Sequence, residues 1–271
     1  MTIAQRPRAA TRWLPLILVA GLLAIVPAMA NPPSAEAVTT TQLETQLTTL
    51  INAERQKAGL KPLRTDTYLA VIAGRRADRM RDANTLSHTV GGNLSYQLAY
   101  YRVAWYGYGE NVGYTTAAWG SKAAESLVAM WLKSPSHRAQ LLSATFNYIG
   151  VGMAYRSSNG RTFASTVFTE SPDHTTARAT ILSGTRSGDD VTWAWTGYDP
   201  VLQTHTAGLR DFDVQYRVGS GTWKTLRNDT VARSLTLVDR VSGRTYGLRV
   251  RATDRRGNVG PWTAEKRIWV P

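Results

Sequence analysis

The sequence predicts an α+β domain followed by an all-β sandwich. Three observations predict it. Apolar residues recur at helical spacing in residues 43–51, 69–80 and 124–132. Asn159-Gly160 lies between two alternating runs, which is the strongest short hairpin signal. Beyond residue 176 the period becomes two almost everywhere.

The chain has 271 residues, room for a leader and two domains, and 43% of them are hydrophobic, enough for real cores. It contains no cysteine, which excludes a disulfide framework, a thiol nucleophile and a lipid anchor on an N-terminal cysteine. The net charge of +13 is spread evenly. Residues 38–170 carry 14 Lys and Arg against 8 Asp and Glu, and residues 171–271 carry 15 against 10. Such a surface attracts anionic envelope polymers and lipid head groups weakly. No recognition motif supports a specific nucleic-acid partner.

Residues 1–37 read as a secretory signal. Arg6, Arg8 and Arg12 form a basic start, and residues 13–26 form an apolar run of 14. That run is short for a membrane span, so secretion is expected rather than stable membrane insertion. Ala28-Met29-Ala30 and Ala35-Glu36-Ala37 are two small-residue cleavage sites. Thr41 and Glu44 then have capping-box spacing before the face Leu43, Leu47, Leu50, Ile51. Asp66 can cap a second helix with apolar face Leu69, Ile72, Ala73, Ala77 and Met80; Arg75, Arg76, Arg79 and Arg81 read as its solvated face. Residues 84–120 are rich in Tyr and Gly and read as mostly irregular; their aromatics either line a groove or cover the helical core.

A third helix carries Ala124, Leu127, Val128, Trp131 and Leu132 and stops at Ser134-Pro135. Its stripe makes Trp131 a core residue. His137 follows the break, where a side chain can face a cleft. Residues 171–176 read as a linker. Seven strand candidates follow at 177–182, 191–196, 212–218, 223–227, 234–238, 246–253 and 266–270, the number and spacing of a β-sandwich. Expected domains are thus residues 38–170 and 177–271.

Chemistry concentrates in Ser87-His88, Gly109-Glu110-Asn111 and Ser134-Pro135-Ser136-His137. Two imidazoles and a carboxylate make either a divalent-metal site or a hydrogen-bonded structural cluster. Ser87, Ser134 and Ser136 lie near histidines in sequence, but no Gly-x-Ser-x-Gly elbow is present to support a serine nucleophile. His174 and His205 look isolated, on exposed loops.

The first domain resembles the CAP superfamily of cysteine-rich secretory, antigen 5 and pathogenesis-related 1 proteins, in a cysteine-free bacterial form. Leu50-Ile51-Asn52-Ala53-Glu54-Arg55, Ser87-His88, Gly109-Glu110-Asn111-Val112, the run Trp131 to Arg138, and Tyr148-Ile149-Gly150-Val151-Gly152 carry the resemblance in order. It implies an α-β-α sandwich with a cleft of two histidines and two acids that in some members holds zinc or another divalent ion. The histidines match His88 and His137, and one acid matches Glu110. The second acid position is Ser134, a departure from the pattern, and Gln140 matches a polar position near the cleft.

The second domain resembles fibronectin type III-like modules, an immunoglobulin-like fold. Trp193, Trp195, the run Phe212 to Arg217, the run Gly243 to Asp254 and Gly257-Asn258-Val259-Gly260-Pro261-Trp262 carry that resemblance. It implies that Tyr246 is a corner tyrosine whose hydroxyl returns to the backbone.

Together these readings predict a secreted, non-enzymatic binding protein for a lipidic, small, glycan or cell-envelope ligand. Its cleft comprises His88, Glu110, Ser134, His137 and Gln140, with zinc or another divalent metal on His88, His137 and Glu110. The alternative is a metal-dependent extracellular hydrolase of peptide or cell-envelope polymer, for which Glu110 would be the general base.

Overall fold

The computed structural model describes residues 38–271; the secretory signal expected over residues 1–37 lies outside them. The first helix, α1 (Thr40–Lys57), has a capping box, but it uses Thr39 and Gln42 rather than Thr41 and Glu44. Glu44 instead accepts from Met153 N (3.1 Å), tying the helix to the sheet beneath it. Leu43, Leu47 and Ile51 are buried at i, i+4, i+8. After the short strand β1 (Arg64–Thr65), Asp66 caps α2 (Thr67–Ala83) by accepting from Leu69 N at 2.8 Å.

The stretch expected to be irregular contains a short helix, α3 (Leu94–Tyr100), and a nine-residue strand, β2 (Gly107–Thr115). Glycine on one face of β2 hides the alternation that would mark it. Next come α4 (Ser121–Lys133) and, after Ser134, α5 (Pro135–Leu141). Pro135 ends one helix and begins another, because its fixed φ and missing N–H suit a first helical turn. Strands β3 (Tyr148–Arg156) and β4 (Arg161–Glu170) form the expected hairpin about Asn159-Gly160.

These strands make one sheet in the order β1-β3-β4-β2. One face packs on α1 and α4 through Ile149, Val151, Met153, Ala164 and Phe168. The other packs on α2, with Tyr148 and Val167 against Leu69, Ile72 and Ala73. The result is three layers, helix on sheet on helix. Gly150 and Gly152 let α2 lie directly on β3: a Cβ at either would come within 2.0–2.2 Å of the α2 backbone. Trp131 is fully buried, as expected, and its indole N–H donates to Val112 O (3.2 Å).

All seven expected strands of the second half form: β5 (Arg178–Ser187), β6 (Asp190–Tyr198), β7 (Leu209–Val218), β8 (Lys224–Thr230), β9 (Ser234–Leu237), β10 (Arg244–Asp254) and β11 (Lys266–Val270). They form two sheets, β5-β6-β9 and β11-β10-β7-β8, around Trp193, Trp195, Phe212, Leu248 and Val250. Tyr246 is buried, and its hydroxyl accepts from Val241 N at 2.9 Å.

The segment 171–176 is packed between the two halves. Asn147 donates to Ser171 O (2.7 Å) and Thr204 O (3.2 Å) and accepts from Ser171 N (2.9 Å). Leu202 is buried in the cluster that holds Leu69 and Tyr148. His174 and His205, expected to be isolated, both join this seam. His174 lies 2.9 Å from Asp66 and stacks on Tyr148; His205 lies 2.8 Å from Glu170 and packs on Tyr106. Their partners are distant in sequence, so nothing local marked them.

Candidate functional site

Strand β2 is the last in its sheet, so one of its edges is free of strand pairing. The cleft residues gather along it. Alternation turns Glu110 and Val112 toward α2 and Asn111 toward α5. Asn111 Nδ2 donates to His137 O (2.9 Å), which pins the first turn of α5 to the strand. Gln140, one turn later, lies over Gly109, where a Cβ would meet its Oε1 at 1.9 Å. A glycine is therefore required there while Gln140 keeps this position.

The far end of α5 is held by a buried cation. Arg55 donates to Lys61 O, Leu141 O, Ser143 O and Phe146 O at 2.8–3.3 Å. Burial lowers its pKa to about 10, so it remains charged at neutral pH and faces the negative end of the helix.

Glu110 is the hub of the cleft and its side chain is only 5% exposed. One oxygen, Oε2, accepts from His88 Nδ1 (2.8 Å). The other, Oε1, accepts from Ser165 Oγ (3.2 Å) and lies 2.9 Å from Arg76 Nε. The Arg76 N–H is not directed along that line, so the contact is an ion pair without a hydrogen bond. Arg76 Nη1 also donates to His88 O (2.5 Å), Val90 O (3.0 Å) and Gly92 O (3.1 Å). One fully buried guanidinium thus neutralises Glu110 and shapes the loop that presents His88.

Arg76 does not lie on the solvated face expected of it. Its position was legible: 69, 72, 73, 76, 77 and 80 form one helical stripe, and Arg76 is on it. Arginine chemistry, not spacing, misdirected that reading.

His88 is half exposed, with Nδ1 2.8 Å from Glu110 Oε2; in the neutral tautomer that donates Nδ1–H to Glu110, Nε2 is an acceptor. Metal-binding histidines commonly have this arrangement, one nitrogen donating to a carboxylate and the other on the ion. Burial, and next the charge of nearby His88, lower the His137 pKa, which favours the neutral imidazole that a metal requires. The structure thus puts His88 on Glu110 and holds the His137 backbone to the neighbouring Asn111, while the expected cleft residue Gln140 lies over Gly109. Ser134 lies at the α4–α5 junction with its hydroxyl 3.3 Å from Ser136 Oγ. Among the described residues, His88, Glu110 and His137 do not set one ligand atom each within 4.8 Å of one another. The three residues therefore do not form a closed three-ligand cage.

The aromatics of residues 94–114 face outward more than inward. Tyr96 and Tyr100 are largely exposed and, with Arg75, Arg79 and Tyr101, line a groove of about 280 Å³ beside α3.

Residues 48–169 match the cysteine-rich secretory protein family, CAP. This segment is a CAP domain. A Bacillus subtilis relative, "Uncharacterized protein YkwD", is 36% identical over 115 residues, 40% of this chain and 41% of its own. A second, "Uncharacterized membrane protein YlbC", also from Bacillus subtilis, is 33% identical over 115 residues, 42% of this chain and 32% of its own. This chain thus spans well under half the length of either relative. A solved extracellular protein of Bacillus anthracis containing an SCP domain is 25% identical, with a TM-score of 0.42 over 50% of this chain and 45% of its own. Among the described residues, no helix is long and apolar enough to cross a membrane.

Proposed function

We propose that this CAP-domain protein is a secreted, non-enzymatic binding protein of the cell envelope. The reading is carried by the state of Glu110. Its carboxylate is engaged by Arg76, His88 and Ser165, so it orients an imidazole and is not a free base for water. His88 Nε2 and His137 would hold zinc or another divalent ion, which would supply a Lewis-acid anchor for a polar ligand head. The ligand class is a small, lipidic or glycan component of the envelope, attracted by the basic surface. The leader composition supports secretion. Seven strands in sheets of three and four, with the Tyr246 hydroxyl bonded to the backbone, support a fibronectin type III-like module acting as spacer or adhesive arm.

Zinc titration by calorimetry at neutral pH tests the cleft. His88→Ala and His137→Ala should each abolish binding without unfolding the protein. Glu110→Gln should weaken it, because the amide no longer fixes His88 Nδ1–H. Ser134→Glu should strengthen it about tenfold or more, since a carboxylate beside a dication adds attraction and a ligand. If the wild type binds no zinc and Ser134→Glu gains none, the cleft is a hydrogen-bonded structural cluster. Release of soluble fragments from cell-wall polymer by the zinc-loaded protein would overturn the non-enzymatic reading.

A further inference from the structure

Asp173, Asp199 and Asp254 meet in the seam between the CAP domain and the β-sandwich. They are 3%, 6% and 0% exposed, and one carboxylate oxygen from each lies within 4.8 Å of the others. Asp173 belongs to the 171–176 segment, Asp199 follows β6, and Asp254 ends β10. None was singled out by the sequence.

The donors that face these carboxylates are all neutral. Asp173 accepts from Tyr148 Oη, Thr175 N, Thr175 Oγ1 and Ala207 N. Asp199 Oδ2 accepts from Gly208 N, and Asp254 accepts from Arg256 N, Asn258 N and Asn258 Nδ2. Among the described residues, no Lys, Arg or His forms an ion pair with any of the three, although the chain has 32 Lys and Arg. A second observation is independent of the grouping: Asp199 Oδ1 is buried and meets no hydrogen-bond donor. A buried anionic oxygen without a donor costs several kcal/mol unless a cation or proton meets it. Burial, opposed by the Gly208 N–H and reinforced by the charges of Asp173 and Asp254, raises the Asp199 pKa.

We infer that this trio is a calcium site that clamps the two halves of the molecule. Calcium binds six to eight oxygens at about 2.3–2.6 Å, so oxygens up to about 5 Å apart can share one ion. Magnesium, at about 2.0–2.1 Å, needs a tighter cage. With oxygen ligands only, zinc is disfavoured. A pocket of about 460 Å³, lined by Asp66, Arg102, Asp173, His174, Arg256 and Asn258 among others, opens beside Asp173, the one acid of the trio that borders it. The clamp follows from connectivity. Tyr148 of β3 is bonded to Asp173, and the other two acids are on the sandwich.

The test compares thermal unfolding and calorimetry of the full chain in EDTA and in calcium, for wild type and Asp199→Asn. At about 5 mM calcium, in the range where extracellular sites fill, the wild type should bind one ion per chain. Its Tm should rise by roughly 3–6 °C. Asp199→Asn should bind at least tenfold more weakly and lose the shift. An equal shift in both proteins would be a general ion effect and would overturn the site. So would a wild type that takes up no calcium and has none on elemental analysis; the trio would then be held by protons. If elemental analysis finds magnesium or manganese instead, the calcium assignment fails. Should Asp199→Asn not fold, terbium emission from the wild type, sensitised by Tyr148 and quenched by added calcium, decides the matter. Its absence overturns the proposal.

Discussion

The cleft and the seam are both buried polar clusters, and they solve the same problem in different ways. In the cleft, Glu110 is matched by Arg76, a cation built into the chain. In the seam, only neutral donors touch the three carboxylates; the charges of His174 and Arg210 act on Asp173 and Asp254 from a distance, without an ion pair. A cluster that supplies its own counter-charge can stand as structure alone. One that lacks it needs a proton or an ion from outside.

Arg76→Met should have the largest effect. It strands a buried carboxylate and releases three loop carbonyls, and should cost about 3–5 kcal/mol by chemical denaturation. A loss below about 1 kcal/mol would show that the cleft does not depend on its internal cation. Next, compare one acid removed from each cluster in EDTA. Glu110→Gln should cost about 1.5–3 kcal/mol, the range for hydrogen bonds to charged groups, while Asp199→Asn should leave stability unchanged or higher because it relieves repulsion. Equal losses would erase the contrast.

The smallest effect is a pair of titrations. Burial and then the charge of His88 lower the His137 pKa from 6.5, so its contribution to stability is present above 6.5 and lost as pH falls from there through the folded value. For His174, burial opposes the charge, but the hydrogen bonds to Asp66 and Pro172 O outweigh it and the pKa is raised. Its contribution is present below 6.5 and lost as pH rises through the folded value. Imidazole resonances in NMR should therefore titrate on opposite sides of 6.5. A shared midpoint would mean that the two surroundings do not differ electrically.

Much of the fold was legible. The Trp131 stripe, the Asn159-Gly160 hairpin and the seven sandwich strands follow from period and turn chemistry. His88, Glu110 and His137 were singled out by residue type and ordered motifs; His88 touches Glu110, and the His137 carbonyl is held by Asn111 next to it. Strand β2 was missed because Gly109 and Gly113 occupy its alternating positions, where the Gln140 and Met130 side chains fill the space a Cβ would take. Arg76 was missed because a charged residue on an apolar stripe reads as an exception, until its partners are visible.

The sequence alone determined the kinds of element and their order, since hydrophobic period, caps and turns act over a few residues. Only the tertiary structure decided which charges meet. Asp173, Asp199 and Asp254 are 26 and 55 residues apart, and each by itself is an ordinary turn residue. Their repulsion and shared burial exist only once the chain has folded, because electrostatic interaction depends on distance in space and on exclusion of water. The same is true of the cleft, where the packing of α2 on Gly150 and Gly152 carries Arg76 beneath Glu110.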